Sequence, residues 1–393
     1  MADQNTTRYH WLDAWRGVAC LMLVIYHAMF YVDEPIGPFA GDGFNLLVWI
    51  AKRMWIGVPI FFVISGYCIA GSIQSLQSRP GGLLKFAQKR FLRIYPPLWA
   101  ACAFAAILWL LASLSPFLTT HCLQIKGAGN LSAWQWLGNL TATESWLHHI
   151  VHSGTGPNYL VGIIWTLCYE EQFYLVAAFA LLMFKGRAIL GIAMVTALCA
   201  LLFLLGAAAT SNLTGLFLDG HWLLFSFGWA AHFALQQSKL SIKMGIIAAL
   251  ILTVISAILH MRGSHTEEVL HFDLSLASAA AFAILLVIAH RWDAVLTAAP
   301  ITRPFSAIGR MSYSIYLIHY APVTLIAAVF AGLGYHSHGF TLAVVAPLSL
   351  IASILIALPF YRWIELRFTS VRRRSQREQN CEQQILGSQK MPC

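Results

Sequence analysis

The sequence predicts an all-α, polytopic membrane protein of about ten transmembrane helices, with both termini cytoplasmic. Three observations predict it. Of 393 residues, 59% are hydrophobic and only 10% are charged, where a soluble domain carries roughly 25% charge. Ten apolar segments recur along the chain, each near the ~20 residues that cross a bilayer core as a helix. Lysine and arginine gather in every second loop, as cytoplasmic loops do.

The segments run over 15–32, 55–73, 97–115, 161–184, 188–209, 221–236, 243–261, 271–290, 311–332 and 341–361. One alternate set of connections holds Arg8; then Arg79, Lys85, Lys89, Arg90 and Arg93; then Lys185 and Arg187; then Lys239 and Lys243; then Arg291, Arg303 and Arg310. The stretch with Arg362, Arg367 and Arg372 to Arg374 completes it. The other set holds Asp33, Glu34 and Asp42; a long loop with only Lys126; Asp219; Arg262 with Glu267 and Glu268; and a loop with no basic residue. A missed or invented helix would scramble this alternation. Lys52 and Arg53, at the outer end of the second segment, are the main exception.

The net charge of +9 therefore reflects orientation in a lipid bilayer, and no nucleic-acid partner is expected. The eight cysteines make no paired metal spacing such as C-x-x-C and no disulfide framework. Five of them, Cys20, Cys68, Cys102, Cys168 and Cys199, fall in apolar segments, where a thiol behaves as a small hydrophobe. The first apolar run lacks a small-x-small cleavage site and reads as an uncleaved first helix. The loop 116–160 is expected on the outer side; it carries Trp134, Trp136 and Trp146 with His148, His149 and His152. Its three tryptophans suit an acceptor-side mouth or an interfacial belt. Its histidines read as an outer metal site or, more plainly, as interfacial side chains. The tail 368–393 turns polar and basic, with too few apolar residues to fold.

Polar groups inside apolar segments cost several kcal/mol and mark functional candidates. In the first segment Arg16 and His27 are eleven residues apart. At 3.6 residues per turn both project from one face, separated by about 16 Å. Either this is a snorkelling arginine with a packing histidine, or an anion anchor with a base beneath it. The second segment carries Ser65-Gly66, where glycine permits close helix approach. The fourth carries Glu170-Glu171, adjacent residues that point about 100° apart and so serve different partners. The ninth carries Ser312-Tyr313-Ser314 and His319. His27, Ser65, Glu170 and His319 all fall near mid-bilayer depth, so one buried site explains them together. Just inside the membrane, Arg90 and Arg93 at i, i+3 are neighbours on a helix. Their forks suit phosphate oxygens, although a positive-inside cluster accounts for the same spacing.

Together, LDAWRGVACLMLVIYH with its R-x10-H spacing, FFVISGY, the RFLR pair, WTLCYEEQFYL and SYSIYLIH resemble the motifs of membrane acyltransferase family 3, the integral-membrane O-acyltransferases of bacteria. They occur in the family's order from the first helix to the ninth. Cys168-Tyr169 replaces the more usual small-polar and Val pair, and SYSIYLIH has Ile where Trp is common. The resemblance implies a transmembrane acyltransferase domain over 1–367 in the bacterial inner membrane. It implies transfer of an acyl group, usually acetyl, from cytoplasmic acyl-CoA to a hydroxyl of a carbohydrate or lipid-linked glycan. Acetyl-CoA is then a donor co-substrate, and no tightly bound cofactor is expected. Some relatives add an outer hydrolase-like domain; none is expected here. The implied roles are donor binding for Arg16, Arg90 and Arg93, and catalysis for His27, Glu170, Glu171 and His319. Chemistry then suggests His27 as base or acyl carrier, a glutamate to orient an imidazole, and Ser65, Tyr313 and His319 as oxyanion donors. The competing class is a polytopic transporter or flippase with buried ionisable groups.

Overall fold

The structure is a computed structural model that describes residues 9–33, 43–77, 80–122, 124, 130–151, 156–184, 187–205, 213–263 and 267–368. The polar tail from 369, and with it Arg372 to Arg374, lies outside these residues, as do Arg8, Glu34, Asp42, Arg79, Lys126, His152 and Lys185.

Regular structure among the described residues is helical. The main helices are α1 (Leu12–Ala28), α2 (Gly57–Leu76), α3 (Gly82–Ser113), α4 (Ala133–Leu140), α5 (Glu144–Val151), α6 (Ile164–Met183), α7 (Ala188–Leu204) and α8 (His221–Gln236). They continue with α9 (Leu240–Gly263), α10 (Glu267–Ala289), α11 (Thr302–Arg310), α12 (Ser312–Ile318), α13 (Tyr320–Gly332) and α14 (Ala346–Phe360). Each of the ten apolar segments contains one of these helices or, in the ninth, a bent pair. Five helical runs are long and apolar enough to cross a membrane: Asn45–Leu76, Gly82–Ser113, Leu240–Gly263, Val269–Ala298 and His338–Phe368. A sixth follows if α12 and α13, bent by 49° at their junction, form one span. The shortfall from ten has a local cause. α1 and α7 have 17 residues and α8 has 16, while α6 is long enough but carries Glu170, Glu171 and Gln172.

Small residues set the closest contacts. A Cβ on Gly66 would lie 2.1 Å from the Phe225 carbonyl oxygen, and one on Gly228 would lie 2.0 Å from that of Val63. α2 and α8 thus meet backbone to backbone, as the glycine in the second motif predicts. α1 and α11 meet in the same way: a Cβ on Gly17 would lie 2.0 Å from the Phe305 oxygen, and one on Gly309 1.6 Å from that of Asp13. Two buried apolar clusters result, one centred on α2, α6, α8 and α10, the other on α1, α3, α12, α13 and α14. The polar seam runs between them.

The long loop folds on its own signals. Ser132 caps α4 in a reciprocal box, its Oγ accepting from the Gln135 amide at 3.2 Å while the Gln135 side chain accepts from the Ser132 amide at 2.9 Å. Beneath it, the buried Asn139 donates to Asn158 O and accepts from the Leu160 amide. Arg53, the exception in the charge pattern, lies 3.8 Å over the Trp49 ring of its own helix.

Candidate active site

α1, α2, α3, α6 and α12 converge on a narrow slot of about 80 Å³. Arg16, Ser65, Arg90, Arg93, Glu170 and Tyr313 all line it, together with Cys68, Thr166 and Tyr316. Six residues singled out in the sequence, from five helices, are thereby brought onto one wall.

Each basic group is positioned by a specific neighbour. Arg16 donates to Asp13 at 2.7 Å, one turn earlier, and to Cys68 Sγ at 2.9 Å. Arg90 donates to Tyr174 Oη and Ser72 Oγ, each at 3.3 Å, with its guanidinium 4.7 Å over the Tyr174 ring. Arg93 is exposed within the slot and has Tyr174, Glu170 and Glu365 as its charged and phenolic neighbours. Glu365, in turn, accepts from the amide of Ser314 at 3.1 Å and from its hydroxyl at 2.5 Å, tying the last helical run to α12.

The adjacent carboxylates diverge as the helical step requires. Glu170 faces the slot and accepts from Ser65 Oγ at 2.7 Å and from Tyr174 Oη. Glu171 faces a separate groove of about 630 Å³ between α3 and α6, and accepts from Tyr95 Oη at 2.9 Å. Arg90 and Tyr174 belong to the groove as well; Phe91, Tyr95 and Trp99 form a ridge along it.

His27 and His319 form a pair of their own, with ring centroids 5.3 Å apart. Neither lines the slot, which reaches only to Tyr316, whose ring centroid is 6.1 Å from that of His319. Tyr316 is held by hydrogen bonds to Thr166 and to Ile163 O. Arg16 and His27 therefore do not line one continuous cavity in this state. Among the described residues, neither glutamate bonds either imidazole; both carboxylates are committed to hydroxyls. Tyr313 Oη donates to Ile94 O, so its proton is not aimed into the slot. His319 sits at the break between α12 and α13 and is fully buried.

In the outer loop Trp134 is exposed, and none of Trp134, Trp136 and Trp146 lines the slot. His148 Nδ1 donates to Glu144 O and His149 Nε2 to Thr214 O; His152 lies outside the described residues. Among those residues, no group of three or more His, Cys, Asp or Glu is arranged to hold a metal.

Sequence reasoning passed over Asp13, Cys68, Thr166, Tyr174, Tyr316 and Glu365. Two of them had a local signal: Asp13 stands at i−3 from Arg16, and Tyr174 at i+4 from Glu170. The Thr166–Tyr316 and Ser314–Glu365 pairs join residues far apart in the chain and had none.

A helical bundle with arginines, carboxylates and imidazoles set between its apolar clusters defines the class: a multi-pass membrane protein with a polar interior. Residues 9–362 match the profile of a family described as an acyltransferase domain. Nearly the whole chain is covered, and the chain belongs to membrane acyltransferase family 3. It is an acyltransferase, which sets the transporter reading aside. No curated protein and no solved structure matches the chain.

Proposed function

We propose that the protein transfers an acetyl group from cytoplasmic acetyl-CoA to a hydroxyl of a carbohydrate or lipid-linked glycan at the bacterial inner membrane. The observation that carries this reading is the slot, with Arg16, Arg90 and Arg93 on its wall and Glu170 beside them. Arginine forks bind phosphate oxygens bidentately, and in this reading the pantetheine arm enters the slot while the nucleotide stays at its mouth. A thioester arriving along the arm approaches Tyr316, behind which stand His319 and His27. His27 accepts the proton of the acceptor hydroxyl as its oxygen attacks the thioester carbonyl carbon. The C–S bond then breaks and the proton passes to the departing sulfur, leaving CoA thiol and an O-acetyl ester. Ser65 Oγ lines the slot but gives its proton to Glu170, so it could face a developing oxyanion only by turning away from that carboxylate.

Two variants separate binding from chemistry. His27→Ala is expected to abolish transfer with acetyl-CoA affinity within about twofold of wild type, since a general base contributes roughly 10²–10⁴-fold. Arg16→Ala is expected mainly to weaken acetyl-CoA binding, by about tenfold or more for the loss of a charge-assisted contact. Mass spectrometry of glycans from cells with and without the protein reads the product as one acetyl mass. Normal transfer by His27→Ala refutes the mechanism; glycans unchanged in mass refute the acceptor.

A further inference from the structure

His27 needs a partner, and the carboxylates do not supply one. A catalytic imidazole is ordinarily held in one tautomer by a group on its far nitrogen. Here Glu170 and Glu171 are occupied by Ser65, Tyr174 and Tyr95. Packed against His27, besides the phenol rings of Tyr26 and Tyr320, is a second imidazole.

We propose that His27 and His319 form a single proton-sharing pair, in which His319 Nε2 receives the Nδ1 proton of His27 and so takes the place of a triad carboxylate. This inference rests on the acyl-transfer reading and deepens it by assigning His319 as the residue that positions His27.

The geometry fixes each proton. His319 Nδ1 lies 3.0 Å from Ile315 O and 2.8 Å from Tyr316 O. A carbonyl oxygen only accepts, so Nδ1 carries the hydrogen and Nε2 is left with a bare lone pair. That Nε2 is buried and, among the described residues, has no hydrogen-bond partner. His27 Nδ1 is buried and equally without one. Two unpartnered buried nitrogens are costly, roughly 1–3 kcal/mol each, and their rings face each other at 5.3 Å. A linear N–H···N bond between two imidazoles places the ring centroids about 5 Å apart. The rings are tilted by 48°, and a rotation of His27 that aims its Nδ1 at His319 Nε2 would satisfy both nitrogens at once. His27 Nε2 then becomes the base.

The chain of protons is therefore carbonyls of Ile315 and Tyr316, His319, His27, acceptor hydroxyl. When His27 Nε2 takes the hydroxyl proton, the positive charge is shared across two rings, and the same proton returns to the thiolate sulfur on C–S cleavage. The other titratable groups facing the pair are phenols: Tyr26 and Tyr320 beside His27, and Tyr316 beside His319.

The test uses amides that mimic one imidazole nitrogen at a time. His319→Asn keeps a donor at the Nδ1 position for the backbone carbonyls and removes the Nε2 lone pair. His319→Gln places an amide near the Nε2 position. The full chain is assayed by [14C]acetyl-CoA incorporation in inverted membrane vesicles from the native cell, on a background lacking the gene. His319→Asn is expected to lose about 100-fold in kcat with KM for acetyl-CoA unchanged and with the acidic limb of its pH profile, which reports the base, displaced. His319→Gln is expected to recover about tenfold of that loss. An independent reading comes from 15N-histidine spectra of the protein in nanodiscs, where His27→Ala is expected to shift the His319 Nε2 resonance. A folded His319→Asn protein with wild-type kcat and pH profile, or an unmoved His319 Nε2 resonance, overturns the pair. If His27→Ala itself transfers acetyl normally, or wild-type vesicles incorporate none, the proposed function fails, and the spectrum still decides whether the pair exists.

Discussion

At the scale of single residues, the divergence of Glu170 and Glu171 makes them unequal. Glu170 joins Ser65 and Tyr174 inside the slot, while Glu171 joins Tyr95 in the groove. Glu170→Gln retains shape and removes charge. It is expected to lower kcat roughly 10- to 100-fold, in line with about 1.5–3 kcal/mol for a hydrogen bond to a charged group. Glu171→Gln is expected to cost clearly less, and steady-state rates of the two variants against wild type check the order. Wild-type turnover by Glu170→Gln would make the pair structural. Residue identity was legible here, because ionisable groups stand out against an apolar background. Partnership was not. The step of about 100° announced that the carboxylates part company, but that Tyr174 and Tyr95 receive them depends on how α3 lies against α6.

At the scale of elements, glycine contacts and loop caps were the readable features. The SGY motif pointed to close helix approach, and Gly66 meets the Phe225 carbonyl directly. Gly66→Ala forces α2 from α8 and is expected to cost about 1–3 kcal/mol, as overpacking does; thermal unfolding in nanodiscs measures it. Gly228, its reciprocal partner, carried no comparable sequence signal. In the outer loop, burial pushes the His148 imidazole below its ordinary range near 6.5, and the neighbouring His149 adds to this. Between the lowered folded value and the ordinary unfolded one, the unfolded loop binds more protons. The stability of α5 is therefore present at neutral pH and declines as pH falls below about 6.5. Limited proteolysis of 133–151 should accelerate from pH 7.5 to 5.5, and His148→Gln should flatten that response.

At the scale of the whole molecule, each of the ten apolar segments overlaps a helix, five or six of them long and apolar enough to cross a membrane, while a count of ten crossings is the expectation from charge alternation. We expect ten crossings with both termini inside. Single cysteines in 116–160 should label from outside, and those between Gly81 and Arg90 should not; an outward C-terminus contradicts the arrangement. The bend at His319 had a signal that the motif reading passed over: Pro322 has no amide to bond the Ile318 carbonyl, one turn earlier. SYSIYLIH reads as part of one continuous span, and nothing in its apolar spacing marks the 49° break. What escaped prediction at this scale is the separation of the slot from the imidazole pair. It arises from Tyr316 meeting Thr166 across 150 residues of chain, a contact that no local pattern encodes.

Arg90 is part of two walls at once, lining the slot on one side and the groove of Phe91, Tyr95 and Trp99 on the other. Its stacking on Tyr174 and its bond to Ser72 cannot be disturbed from one side without being felt on the other. Purification therefore enters the chemistry. If Arg90 holds donor phosphate as proposed, a surfactant tail in the groove it shares with Trp99 is expected to perturb that contact. Donor affinity measured in micelles should then change with surfactant chain length, and Trp99→Ala should alter that dependence although it lies outside the slot. On that expectation, the solubilising agent belongs beside substrate concentration as a variable of the binding curve.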